Sequence, residues 1–128
     1  MNKIILIVDD EPHIRMLLEE SLSELEDEGV RLLTATNGRE ALDVISAQKP
    51  RLVFLDVMMP ELSGYDVCAR VRSEATQPDI HIVMLTAKGQ DADRQRGIEA
   101  GADAYVTKPF DPDGILETAR QVLARSSG

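Results

Sequence analysis

The chain has 128 residues, of which 43% are hydrophobic and 29% charged, and its formal net charge is −9 at pH 7. A chain of this length forms one domain with its own core, and its composition is ordinary for a globular protein. The acidic excess argues against direct binding to nucleic acid or to an anionic membrane surface, since both are negatively charged. No apolar run has membrane-spanning length and Cys68 is the only cysteine, so we expect a cytoplasmic protein without an intrachain disulfide.

Five strand patterns alternate with five helix patterns along the chain. The strands are predicted at Ile4–Val8, Val30–Ala35, Arg51–Asp56, Ile80–Leu85 and Ala104–Thr107. The helices are predicted from Pro12 to a stop at Gly29, from Gly38 to a point before Pro50, from Gly64 to a point before Gln77, over Asp91–Ala100, and from near Pro112 onward. Short apolar runs of this kind are typical of strands buried on both faces of a parallel sheet. The alternation therefore predicts a doubly wound α/β domain.

Polar side chains stand where four of the five strands end. They are Asp9 and Asp10 after the first strand, Asp56 at the end of the third, Thr86 after the fourth and Lys108 after the fifth. Each has an ordinary explanation as a solvated strand end, a turn residue or a helix cap. In doubly wound sheets, however, the carboxyl ends of the strands meet at one edge, where ligands bind. We therefore expect these side chains to converge.

Such a cluster has a definite chemistry. Three crowded carboxylates repel one another and need a compensating charge. An all-oxygen site with few protein ligands suits Mg²⁺, which would let a phosphoryl group approach an otherwise anionic pocket. One carboxylate can then act as a nucleophile, while the Thr86 hydroxyl and the Lys108 ammonium bind phosphoryl oxygens.

Four segments resemble, in order and spacing, the receiver domain of two-component response regulators: IILIVDDEP, LVFLDVMMPELSGYDVC, IVMLTAKG and GADAYVTKPF. The resemblance covers essentially the whole chain, with a receiver domain at 1–124 and a short polar tail at 125–128. It implies a flavodoxin-like, five-stranded parallel sheet in the order 2-1-3-4-5 with five flanking helices.

The resemblance also implies roles for individual residues. Asp56 would accept a phosphoryl group from a histidine kinase or a histidine phosphotransfer protein, and Mg²⁺ would be held by Asp9, Asp10, Asp56 and the backbone carbonyl of Met58. The other implied assignments are Thr86 and Tyr105 as the switch pair, Lys108 as the phosphoryl-contacting lysine, Ala87 as the small residue beside it, and a cis bond at Lys108-Pro109.

The function implied is a phosphorylation-dependent switch that catalyses only its own phosphorylation and dephosphorylation. Its output would be a changed surface of helix 4, strand 5 and helix 5 that binds a downstream protein. In the winged-helix branch of the family, charged residues on this surface pair across a dimer. Here the corresponding positions are Ala104, Gly114 and Thr118, so we expect a monomer or a weak dimer.

Three alternatives stand beside this prediction. A phosphohydrolase of the haloacid-dehalogenase kind generally has a second aspartate two residues after its nucleophile, where this chain has Met58. A flavodoxin-like cofactor carrier would want a Ser/Thr/Gly-rich phosphate loop and aromatic residues, but the chain has DDEP, no tryptophan, two phenylalanines and two tyrosines. The third alternative is a receiver domain from a larger regulator with a separate output domain.

Overall fold

Five strands and five helices alternate in the computed structural model, which describes residues 3–73, 80–87 and 91–125. The strands are β1 (Ile4–Val8), β2 (Arg31–Ala35), β3 (Leu52–Asp56), β4 (His81–Ala87) and β5 (Ala104–Lys108). The helices are α1 (Pro12–Glu26), α2 (Gly38–Gln48), α3 (Gly64–Ser73), α4 (Asp91–Ala100) and α5 (Pro112–Arg125).

The strands form one parallel sheet in the order β2-β1-β3-β4-β5. The fold class and the strand order predicted from the sequence are therefore confirmed. The order reverses between β1 and β3, so the carboxyl ends of these two strands lie side by side. In a doubly wound sheet this switch point is where a ligand site is expected.

Each face of the sheet carries its own hydrophobic core, because successive side chains of a strand point to opposite faces. Helices α2, α3 and α4 cover one face, where the core includes Val53, Cys68 and Met84. Helices α1 and α5 cover the other face, where it includes Leu18 and Phe54. Since β1, β3 and β4 are covered on both sides, each contains a continuous apolar run, at residues 4–8, 52–55 and 82–85.

Most element boundaries agree with the sequence prediction, and the differences lie at the ends. Strand β4 continues through Thr86 and Ala87, and β5 includes Lys108, so these residues end strands rather than follow them. The predicted end of the third helix lies outside the described residues. The apolar residue Leu17 of α1 follows the helical spacing that predicts a core-facing position, but it is 36% exposed. The Lys108-Pro109 peptide is cis, as the resemblance implied.

Within the described part of the chain, none of the helices is both long enough and apolar enough to cross a membrane.

Candidate functional site

Three carboxylates meet at the switch point of the sheet. Asp9 and Asp10 follow β1 and Asp56 ends β3, and one oxygen from each lies within 4.8 Å of the other two. Asp9 is fully buried and Asp56 is 3% exposed, whereas Asp10 is exposed to solvent. Burial of carboxylates at such short separations is unfavourable unless a cation is present.

Lys108 supplies one such cation. Its Nζ donates hydrogen bonds to Asp9 Oδ2 at 2.9 Å and to Asp56 Oδ1 at 3.2 Å. The strands explain the convergence, because Ile5 and Ile7, Leu52 and Phe54, and Ala104 and Val106 all belong to the core under α1 and α5. Asp9, Asp56 and Lys108 continue the same alternation. All three side chains therefore leave the sheet toward the same face.

Burial and neighbouring charges shift the pKa values of Asp56 and Lys108. Burial, together with the neighbouring charge of Asp9, raises the pKa of Asp56 to about 6, although Lys108 acts in the opposite direction. Burial alone would lower the pKa of Lys108, but its hydrogen bond to Asp9 and the charge of Asp56 outweigh burial and raise that pKa above its usual value. Lys108 therefore remains a cation at neutral pH.

Backbone groups orient two of the carboxylates. Asp9 Oδ1 accepts the N–H of Glu11 at 2.9 Å, and Asp56 Oδ1 accepts the N–H of Met58 at 3.3 Å. The loop after β3 then turns back so that the N–H of Gly64 donates to the carbonyl of Val57 at 3.0 Å. A side chain at Gly64 would overlap the carbonyl oxygen of Asp56, so only glycine lets α3 begin this close to the site.

The two predicted switch residues lie on the opposite face of the sheet. Thr86 follows Met84 by two residues and is 6% exposed, while Tyr105 pairs with Met84 across β4 and β5 and is half-buried. The same core, under α3 and α4, includes Met84 and Tyr105. Strand alternation thus places Tyr105 on the face away from Asp9, Asp56 and Lys108. Thr86 lies at the same carboxyl edge of the sheet as the cluster, because its neighbour Leu85 pairs with Asp56. Ala87 ends β4 opposite Lys108, and its side chain lies outside the described part of the structure.

The donor set fits Mg²⁺. This cation prefers oxygen ligands and often binds one or two protein carboxylates while keeping several waters. Among the described residues, no hydrogen bond occupies the carboxylate of Asp10 or Oδ2 of Asp56, and no backbone hydrogen bond uses the carbonyl of Met58. The Met58 side chain is 72% exposed.

The sequence analysis did not single out three arginines, two of which contact residues that are distant in the chain. Arg15 donates to the carbonyl of Asp9, Arg72 joins α3 to the turn between α4 and β5, and Arg96 lies over the ring of Tyr65. Periodicity gives no signal for such residues because each one resembles a solvated surface arginine. Only the tertiary contacts distinguish them.

Comparison with known proteins agrees with this geometry. The family model described as "Response regulator receiver domain" matches residues 5–120. The chain belongs to this family. It is therefore a receiver domain of two-component signalling, and receiver domains are signalling proteins.

The similar proteins include full-length regulators and solved receiver domains. "Probable transcriptional regulator ycf27" of Cyanophora paradoxa is 49% identical over 97% of this chain and 49% of its own length. "Alkaline phosphatase synthesis transcriptional regulatory protein PhoP" of Bacillus subtilis is 44% identical over 98% and 50%, respectively. The structure described as "BeF3 Activated DrrB Receiver Domain" matches with a TM-score of 0.85 and 35% identity over 98% of this chain and all of the other. The receiver chain thus spans about half the length of these curated relatives.

Proposed function

We propose that the chain is a phosphorylation switch in which Asp56 accepts a phosphoryl group in the presence of Mg²⁺. The observation that carries the proposal is the convergence of three carboxylates within 4.8 Å, two of them bridged by Lys108. The proposed donor is a histidine kinase or a histidine phosphotransfer protein. The proposed metal ligands are Asp9, Asp10, Asp56 and the carbonyl of Met58.

Asp56 has the surroundings that a nucleophilic carboxylate needs. The hydrogen bonds from Lys108 and Met58 both end on Oδ1, which leaves Oδ2 as the attacking oxygen. In the proposed step a new bond forms between an oxygen of Asp56 and phosphorus, while the bond from phosphorus to the donor histidine nitrogen breaks and the histidine retains that electron pair. The bound Mg²⁺ would neutralise negative charge on the transferring group.

Lys108 and Thr86 have separate roles in the proposal. The ammonium of Lys108 already contacts Asp56 and would contact the new phosphoryl oxygens, since a charge-assisted hydrogen bond is stronger than a neutral one. Thr86 lies near the end of β4, next to β3, and its neighbour Leu85 pairs with Asp56. Its hydroxyl would donate to a phosphoryl oxygen, with Ala87 leaving room beside it.

The proposed output is a change at the surface of α4, β5 and α5. Movement of Thr86 would open space that Tyr105, on the same face of the sheet, can fill. A downstream protein would bind this surface in one phosphorylation state and not in the other. The similar structure described as BeF3-activated supports this proposal, because it indicates that a receiver of this fold responds to that compound.

A receiver domain from a larger regulator is the second candidate, and it is motivated by the names and lengths of the relatives. They are named transcriptional regulators and are about twice as long as this chain. In that case the same surface would contact an attached output domain, and any DNA binding would belong to that domain. Because the net charge is −9, the receiver alone is expected not to bind DNA. It is also expected to remain monomeric or weakly dimeric, and to catalyse only its own phosphorylation and dephosphorylation.

The test is to label the protein with acetyl phosphate and to map the modified residue by mass spectrometry. Attack by Asp56 breaks the bond between phosphorus and the acetate oxygen and releases acetate. We expect one phosphoryl group on Asp56 when Mg²⁺ is present and little labelling in excess chelator.

The matched control for this experiment is Asp43→Asn, which removes an exposed carboxylate of α2 away from the site. It should label as the unchanged protein does, whereas Asp56→Asn should not label. Equal labelling of the Asp56→Asn variant, or full labelling without free Mg²⁺, contradicts the proposal.

A further inference from the structure

Arg15 reaches back from the first turns of α1 to the acidic loop. Its Nη1 donates a hydrogen bond to the backbone carbonyl of Asp9 at 2.7 Å, and the side chain is half-buried. Helix α1 begins at Pro12, and its N-cap residue Glu11 makes no side-chain capping hydrogen bond. The side chain of Arg15 therefore joins the start of this helix to the loop before it, in addition to the hydrogen bond that the Asp9 carboxylate accepts from the N–H of Glu11.

The same loop leaves one of its carboxylates unsupported. Asp9 is held by its N–H, which donates to the carbonyl of Ala35 at 3.3 Å, and by its carboxylate, which accepts from Glu11 and Lys108. Asp10 is exposed, and its carboxylate accepts no hydrogen bond from the described residues. Its direction therefore depends on the backbone that carries it.

The bond from Arg15 acts on that backbone. The carbonyl of Asp9 and the N–H of Asp10 belong to one planar peptide group. Holding the carbonyl restrains the plane of this peptide and with it the Cα of Asp10, from which the side chain leaves the loop. We propose that Arg15 is a positioning residue that orients Asp10 toward a bound divalent cation by holding the carbonyl of Asp9. The inference rests on the proposed Mg²⁺ site and adds a residue to it.

A purely electrostatic role and a positioning role of Arg15 predict opposite effects of its removal on the affinity for Mg²⁺. If the guanidinium acts only through its positive charge, its removal strengthens Mg²⁺ binding, because two cations repel. If it positions Asp10, its removal weakens binding, because an unsupported ligand must be ordered by the metal. Partners that orient metal ligands typically change affinity by about ten- to a hundredfold.

The experiment is a Mg²⁺ titration of the whole chain. Binding is measured by calorimetry and by the amide NMR signals of Asp9, Asp10 and Glu11. The test variant is Arg15→Met, which keeps an aliphatic side chain and removes the donors. We expect its Kd for Mg²⁺ to rise about tenfold. Binding that is as tight as in the unchanged protein, or tighter, overturns the proposal.

Two further variants separate the missing hydrogen bond from other effects. Arg31→Gln removes an exposed positive charge at the start of β2, at the opposite end of the sheet, and should leave the Kd within about twofold because distant exposed charges are screened. Arg15→Lys keeps the charge and a donor and should recover most of the affinity. A lysine variant as weak as the methionine variant points to disturbed packing and contradicts the proposal.

The titration also tells this inference apart from the proposed function. If the unchanged protein shows no Mg²⁺-dependent change at Asp9, Asp10 and Asp56, the metal site itself is wrong. If the unchanged protein binds and Asp10→Ala does not, while Arg15→Met binds normally, only the role given to Arg15 is wrong.

Discussion

Asp56 carries a charge that destabilises the protein when no metal is bound. Its pKa is raised from 3.8 to about 6, first by burial and then by the charge of Asp9. The folded protein therefore binds this proton more tightly than the unfolded chain does. The resulting stability is fully present below the unfolded pKa of 3.8 and is lost as the pH rises through about 6.

Replacing Asp56 with asparagine should stabilise the metal-free protein at about pH 8. The amide keeps the shape of the side chain but has no charge, and two pKa units correspond to about 3 kcal/mol at most. We expect the free energy of unfolding in urea with chelator to increase by about 1 to 3 kcal/mol at about pH 8, and by less at about pH 5, where Asp56 itself is protonated. Asp43→Asn is the charge-matched control and should change the free energy by less than about 0.5 kcal/mol. No gain at the higher pH contradicts the prediction.

Packing against Tyr105 explains why α4 has a glycine at position 97, and the helix pattern alone does not reveal this. A side chain at this position would overlap the hydroxyl and the ring of Tyr105. The glycine lies in the middle of α4, where it costs about 1 kcal/mol relative to alanine. The bare backbone therefore forms the surface against which the phenol of Tyr105 packs.

We expect Gly97→Ala to destabilise the protein by about 1 to 3 kcal/mol, because overpacking outweighs the better helix propensity of alanine. In a Tyr105→Ala background the same change should become stabilising by up to about 1 kcal/mol, since the overlap is gone. Urea unfolding of the four proteins gives the complete double-mutant cycle. The same effect of Gly97→Ala in both backgrounds would show that Tyr105 does not pack against α4.

At the scale of elements, the carboxyl end of α4 is held by α3. Arg72 donates from Nε to the carbonyl of Gly101 at 2.8 Å, from Nη1 to the carbonyl of Ile80 at 2.7 Å, and from Nη2 to the carboxylate of Asp103. Asp103 also accepts the N–H of Ile82 at 2.8 Å. One guanidinium thus ties together α3, the start of β4 and the turn that leads into β5.

Helix α4 has a second contact with α3. The guanidinium carbon of Arg96 lies 4.3 Å from the centre of the buried ring of Tyr65, a cation–π geometry. The helix has few apolar residues, and Ile98 is 55% exposed. Since α4 has few apolar residues, we expect the two arginine contacts to contribute to its attachment, beside the packing of Gly97 on Tyr105. A helix attached in this way is suited to a change of position.

Arg72→Lys should loosen this attachment, because a lysine ammonium cannot reproduce three bonds from one planar fork. We expect a loss of about 2 to 3 kcal/mol in the free energy of unfolding, given that one of the three bonds joins charged groups. Amide hydrogen exchange should become faster at Gly101–Asp103 and unchanged in β1. Arg70→Lys, an exposed position on the same helix, is the control. Unchanged exchange in Arg72→Lys means that the apolar core alone holds α4.

At the scale of the whole molecule, the two faces of the sheet carry different functional residues. Asp9, Asp56 and Lys108 continue the face under α1 and α5, while Met84 and Tyr105 belong to the face under α3 and α4. A group bound to Asp56 does not reach Tyr105 directly. The end of β4, where Thr86 lies, is the element between them.

We therefore expect beryllofluoride with Mg²⁺ to shift amide NMR signals from Asp56 through Thr86 to α4 and Tyr105. A Thr86→Ala change should shorten this path, because the hydroxyl that follows the phosphoryl group is missing. Shifts confined to the loops around Asp9, Asp56 and Lys108 would mean that the output surface lies elsewhere. Gel filtration of the same samples checks whether the activated protein remains monomeric.

The sequence by itself determined the alternating elements, the parallel sheet and the set of polar residues at its carboxyl edge. These features follow from local patterns: apolar runs define the strands, and the topology of doubly wound sheets brings their ends together. For this reason Asp9, Asp10, Asp56 and Lys108 could be singled out before any contact was known.

Only the tertiary structure decided how these residues act on one another. The bridge from Lys108 to two carboxylates, the raised pKa of Asp56 and the packing of Tyr105 on Gly97 depend on distances between strands and helices that are far apart in the chain. The same holds for Arg72, which contacts residues 29 and 31 positions away. A local pattern carries no signal for such contacts, because the free energy of burying or pairing a charge is set by the groups that folding brings around it.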